Sequence, residues 1–119
     1  MGRRAPAAVK DRFDAELASA ASARCDGRVD DAWAALETAH VLSQPYVWMH
    51  TRSHWQMLTL AVRTADIREA VGQLARLALA APGSATGRFP LGNTGRARAS
   101  MFSPMPVPDD LAHLLQKAP

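Results

Sequence analysis

The chain has 119 residues, 48% hydrophobic and 21% charged, the balance of a folded globular protein, which excludes a chain disordered throughout. Two independent cores would need roughly 100 to 200 residues apiece, so a single domain is expected. Fourteen basic against eleven acidic residues leave a net charge of +3, with the twelve arginines scattered along the chain; a diffuse excess of this kind serves solubility and argues against nucleic-acid binding.

Residues 9–81 are rich in Ala, Leu, Arg and Glu and are interrupted only by Gly27, Pro45 and Gly72, so this stretch is expected to be helical. Helix one is predicted over 9–25, with Val9, Phe13, Leu17, Ala20 and Ala21 on an apolar stripe and Asp26-Gly27 as its stop. Helix two starts at 29 or 30, where Asp30 suits the unpaired N–H groups of a first turn, turns Ala32, Trp33, Leu36, Ala39 and His40 inward, and ends before Pro45. Helix three (46–64) and helix four (66–81) are joined by so few residues that they must fold back on each other.

The fold class that follows is all-α: two antiparallel hairpins in series. A shift of 38 residues lays Val29, Asp31, Ala32 and Leu36 over Ile67, Glu69, Ala70 and Leu74, and both stretches resemble the second half of a tetratricopeptide repeat, although the first-helix Trp and Gly-Tyr positions of that repeat are missing. Residues 1–8 are expected to be disordered and 9–81 to form the four-helix core.

From residue 82 onward the composition changes, with six of the eight prolines and four of the seven glycines in the last 38 residues. Residues 82–108 are therefore expected to form an irregular tail, with a tight turn at Gly92-Asn93-Thr94-Gly95 and an extended run through Pro104, Pro106 and Pro108. Phe89, Leu91, Met101, Phe102, Met105 and Val107 are too apolar for a free linker, so the tail should clasp the helices. Arg88, Arg96 and Arg98 are expected to lie in a solvated loop, with phosphate or acidic lipid as the alternative contact. Asp109 or Asp110 caps a short helix over 109–117, with Leu111, Leu114 and Leu115 as its contact face.

A single cysteine, Cys25, cannot form an internal disulfide, which fits a reducing cytoplasm. Arg3 and Arg4 are not followed by the apolar stretch of a signal sequence, and the longest apolar run, 77–81, falls far short of the roughly 20 residues needed to cross a bilayer. Neither export nor a membrane span is expected.

The chemistry is concentrated in the histidines. His50 and His54 are four apart on helix three, on one face and pointing toward the core, while Glu37 and His40 lie three apart on the neighbouring helix two. Three imidazoles and a carboxylate make a site for Zn²⁺, Fe²⁺ or Cu²⁺, with Glu16 on helix one as a further donor. No Glu follows His50, which removes the HExxH metalloprotease arrangement. Only one Glu-x-x-His unit is present, which removes a di-iron bundle. The plainer alternative is a set of buried histidines bonded to backbone carbonyls or to Glu37, with Trp33, Trp48 and Trp55 packed around them. Cys25, Met49 and Met57 are less suited as soft ligands, His113 is expected to be exposed, and no nucleophile elbow or phosphate-binding loop is present.

Several short patterns also resemble a known family: AHVLxQ, HxxxHxxML, GQLxRLxLA, PxGNTG and PMPxPxDL, in a resemblance that covers 32–114. They are similar to a small bacterial group, the domain-of-unknown-function family 3703. The resemblance implies a helical fold and carries no established activity.

Architecture alone leads to the expectation of a non-enzymatic module that binds another protein or pairs with itself as a homodimer. The alternative is a metal-binding protein or metalloenzyme with His50, His54, His40 and Glu37 as ligands.

Overall fold

The computed structural model describes residues 3–86, 93–96 and 104–116, and all of its regular structure is helical. The helices are α1 (Ala7–Cys25), α2 (Val29–Ser43), α3 (Val47–Arg63), α4 (Ile67–Thr86) and α5 (Asp109–Gln116). α1 pairs with α2 and α3 with α4, the α2–α3 contact joins the two hairpins, and α5 packs against α1 and α2. None of the helices is long and apolar enough to cross a membrane, among the described residues.

The two hairpin turns are built alike. In the first, the Asp26, Gly27 and Arg28 amides donate to the carbonyls of Ser22, Arg24 and Ala23; in the second, the Thr64, Ala65 and Asp66 amides donate to those of Leu60, Val62 and Ala61. Each bond of the second turn is the corresponding bond of the first displaced by 38 residues. Both turns need a left-handed residue, supplied by Gly27 at φ 74° and by Ala65 at φ 56°. Alanine in that conformation carries a strain of about 1 kcal/mol that glycine does not. Asp66 offsets part of this by accepting the Glu69 amide on its Oδ1 at 3.1 Å, a side-chain cap on the first turn of α4.

Two apolar clusters hold the helices. Ala20 and Ala23 of α1 meet Ala32, Trp33, Ala35 and Leu36 of α2 and Met57, Leu60 and Ala61 of α3. The run of alanines lets the backbones approach closely around the one large ring. At the other end, Val9, Val41, Leu42, Tyr46 and Leu111 form a second cluster, with Val107 of the tail and Leu114 of α5 packed against it. Burying a side chain such as Phe13, Leu42 or Met57, each almost fully enclosed, contributes roughly 1.5–3 kcal/mol.

Three differences from the sequence reading have simple causes. On α1, Ala23 is buried and Ala21 exposed, because the stripe follows 9, 13, 20 and 23. α4 runs beyond residue 81 to Thr86, through Pro82 and Gly83; the flanking alanines are the strongest helix formers and work against the lost bond and ring clash that a proline brings to a helix interior. Trp48 and Trp55 do not pack around the histidines: they are 80% and 58% exposed, and only Trp33 is buried. At 100° per residue, positions 48 and 55 lie about 160° and 140° from His50, on the outward side of α3. Phe89, Leu91, Met101 and Phe102, like Arg88 and Arg98, lie outside the described residues.

Candidate metal centre

α2 turns back into α3 through Gln44, Pro45 and Tyr46, with the Tyr46 amide donating to the Ser43 carbonyl at 2.8 Å. Two serines let the helices come close at this joint. Ser43 Oγ donates to the His40 carbonyl and Ser53 Oγ to the His50 carbonyl, at 2.9 and 2.7 Å, and the two hydroxyl oxygens are 3.3 Å apart. Both serines are completely buried. Larger side chains here would push α2 off α3 and separate the histidines.

Beside this crossing, His40 of α2 meets His50 and His54 of α3. All three are buried, and their Nε2 atoms converge: 3.1 Å between His40 and His54, 3.1 Å between His40 and His50, and 3.2 Å between His50 and His54. Among the described residues these three form a group of metal-ligating type. Glu37 is not part of that group. It is half-buried and pairs with Arg96, 3.6 Å away; burial raises its carboxyl pKa and the Arg96 charge opposes the rise. Glu16 accepts from Arg12 Nε at 2.8 Å on α1, Cys25 is exposed, and His113 is exposed on α5.

The outer ring nitrogens decide what the inner ones offer. His40 Nδ1 lies 2.7 Å from the Asn93 carbonyl, which can only accept, so Nδ1 carries the proton. His54 Nδ1 lies 2.7 Å from Gln73 Oε1. The orientation of that amide is set on its other side, where Gln73 Nε2 donates to Glu69 Oε2 at 3.0 Å and to the Gly95 carbonyl at 2.7 Å. Gln73 Oε1 therefore accepts and His54 Nδ1 donates. In the neutral rings both inner Nε2 atoms then carry lone pairs that face each other across 3.1 Å. Burial pulls the His54 pKa from its ordinary 6.5 down to about 4; the bond to Gln73 opposes this and the Arg76 charge adds to it. His40 is lowered well below the usual value, by burial first and then by the two neighbouring imidazoles. Both rings are neutral at pH 7.

The supporting residues come from places the histidine pattern does not indicate. Glu69, Gln73 and Arg76 recur at i, i+4 and i+7 on α4 and are all buried, while the apolar Ile67, Val71 and Leu74 of the same helix face outward. α4 is turned polar side in. The segment 93–96 lies across the centre as a strap. Gly95, at φ 83°, sits so close to His40 that a Cβ there would fall 2.7 Å from its Cδ2, and its amide donates to Asn93 Oδ1 at 2.9 Å. Arg96 donates through Nε to Glu69 Oε1, and its guanidinium carbon is 3.8 Å from the centroid of the Trp33 ring, a cation–π contact. Arg96 is thus an internal counter-ion and not the solvated loop arginine expected from the sequence.

A family model described as a protein of unknown function, DUF3703, matches residues 7–115. No curated protein and no solved structure matches the chain. The matched span runs from the first residue of α1 into α5 and takes in the three histidines, Gln73 and the strap: the chain belongs to the DUF3703 family.

Proposed function

We propose that this is a metal-binding protein in which His40, His50 and His54 hold one divalent transition ion, Zn²⁺, Fe²⁺ or Cu²⁺, through their Nε2 atoms. The observation that carries the reading is the convergence of three buried Nε2 atoms at 3.1–3.2 Å with the outer nitrogens of two rings committed as donors. For metal–nitrogen bonds of about 2.0–2.1 Å, two ligands of a tetrahedral ion lie about 3.3 Å apart, so the triad is close to one face of such a tetrahedron. A proton on His50 Nε2 serves one neighbouring lone pair at a time, whereas a cation serves all three. A histidine that holds a metal regularly donates its other N–H to a fixed acceptor; here His40 has the Asn93 carbonyl and His54 has Gln73 Oε1, with Glu69 holding the Gln73 amide. The fourth position is left to water or a small exogenous ligand.

The test is metal content and affinity of untagged protein. One equivalent of Zn²⁺ or Co²⁺ per chain is expected, with the intense visible absorption of tetrahedral Co²⁺, and His54→Ala and His40→Ala should each weaken binding by at least about a hundredfold. Wild-type protein that retains under about one-tenth of an equivalent after incubation with each of the three ions would overturn the reading.

A second reading, self-association, is favoured by a different observation. Trp48, Trp55 and Val62 recur every seven residues along the outer side of α3, and all three are exposed, as are Ile67, Val71 and Leu74 on α4. The occupant we assign to this surface is a second copy of the chain, because a row of large apolar side chains can meet its own copy across a two-fold axis, with Arg52, exposed between Trp48 and Trp55, at its margin. Sedimentation at micromolar concentration is expected to give a dimer, and Trp48→Ser/Trp55→Ser a monomer with unchanged helix content. A wild-type monomer at about 100 μM excludes it, a concentration at which even weak specific pairing registers.

A further inference from the structure

Resting on the metal reading above, we propose that the 93–96 strap and the ion are coupled: docking of the strap sets the imidazole tautomers that accept metal, and bound metal holds the strap in place. Occupancy of the buried centre is thereby transmitted along the strap to Arg96.

The strap bonds His40 directly and His54 through Gln73. The Asn93 carbonyl takes the His40 Nδ1 proton at 2.7 Å, which leaves Nε2 as the bare nitrogen. The Gly95 carbonyl takes one Gln73 amide proton at 2.7 Å, which keeps Gln73 Oε1 turned toward His54 Nδ1 and leaves the second bare nitrogen. With the strap lifted, His40 loses that acceptor and the Gln73 amide loses one of the two contacts that fix its orientation. Each ring is then free to place its proton on Nε2, and a protonated Nε2 cannot ligate.

The remaining contacts make the strap fit only one way. Gly95 presses its Cα against the His40 ring at a separation no side chain tolerates. Arg96 fastens the other end through Glu69, Glu37 and the Trp33 face, and it touches none of the three histidines. Because binding free energies are linked, whatever factor the docked strap adds to ion affinity, the ion returns to strap docking.

Hydrogen exchange and metal titration of the full chain test the coupling. Zn²⁺ is expected to slow exchange of the Gly95 and Arg96 amides by about tenfold or more, a size typical of coupled sites. Gly95→Ala should weaken Zn²⁺ binding by about 10- to 100-fold, the range seen when residues that orient the ligating side chains are changed. Arg96→Ala, which removes the Glu69 and Glu37 pairs that fasten the strap and no atom bonded to a histidine or to Gln73, should weaken it by several-fold and abolish the Zn²⁺-dependent protection; it carries the test if Gly95→Ala fails to fold. One equivalent of Zn²⁺ bound with unchanged exchange at 93–96, or Arg96→Ala with wild-type affinity, overturns the coupling and leaves the metal site standing. A wild-type chain that takes up no metal sinks both.

Discussion

Acidifying the metal-free protein from pH 7 to pH 4 is expected to lower its Tm by about 10 °C. The sign follows from His54, whose pKa falls from 6.5 to about 4 on burial. Below pH 6.5 the unfolded chain takes up a proton that the native ring refuses, so the unfolded state binds more protons and stability falls with falling pH. The contribution is complete above the unfolded value and is lost as the pH drops toward 4. A separation of about 2.5 units corresponds to about 3 kcal/mol, which for a domain of this size is about 10 °C or slightly more. His40, also lowered by burial, acts in the same direction. Because carboxylates titrate in the same window, the measurement is the difference between wild type and His54→Gln in Tm against pH. Equal slopes for the two proteins between pH 6.5 and 4 would contradict the buried, neutral assignment.

Replacing Glu69 by alanine is expected to destabilise the protein by about 3 kcal/mol, the lower end of the cost of breaking a buried ion pair by removing one partner. Glu69 is only 3% exposed, and its carboxylate accepts from Gln73 Nε2 on one oxygen and from Arg96 Nε on the other. Its loss takes a charged acceptor from each, although Gln73 Nε2 keeps the Gly95 carbonyl. Arg96 retains Glu37 at 3.6 Å and some solvent, which keeps the cost from the upper end. The Gln73 amide, freed on that side, loses one of its two orienting contacts, so metal affinity should fall by about 10- to 100-fold along with stability. Glu69→Gln, which retains an acceptor, should recover part of both. Chemical denaturation and Zn²⁺ competition on the same samples separate the two effects; an Glu69→Ala protein with wild-type stability would contradict the pairing.

The hairpins were legible because periodicity and short connectors leave few alternatives: Val9 and Phe13 on α1, Ala32 and Leu36 on α2, and the Asp26-Gly27 stop all stand where the pattern puts them. The convergence of His40 with His50 and His54 was legible for the same reason, since a three-residue connector returns α3 along α2. Glu37 misled because i, i+3 spacing puts it on the histidine side of α2 without saying what else competes for its carboxylate. That competitor, Arg96, is far away in sequence and enters only through the strap. Glu69, Gln73 and Arg76 were hidden for another reason. Polar residues at i, i+4 and i+7 normally mark a solvated face, and here the apolar residues of α4 occupy the exposed one. The informative signal was the whole-helix pattern: a polar stripe and an apolar stripe, either of which can face inward depending on what the neighbouring helix presents.

The duplicated turns place the centre on a seam. Under the 38-residue displacement that superposes one turn on the other, His50 and His54 correspond to Arg12 and Glu16, which form an ion pair at 2.8 Å, and His40 corresponds to an alanine, Ala78. The two halves agree where each bends and diverge where they meet. One imidazole belongs to the leading half and two to the trailing half, so neither half owns the cluster. Under the proposed function, an ion seated there would act as a rivet between the halves, and its grip and their cohesion would be a single quantity measured in two ways.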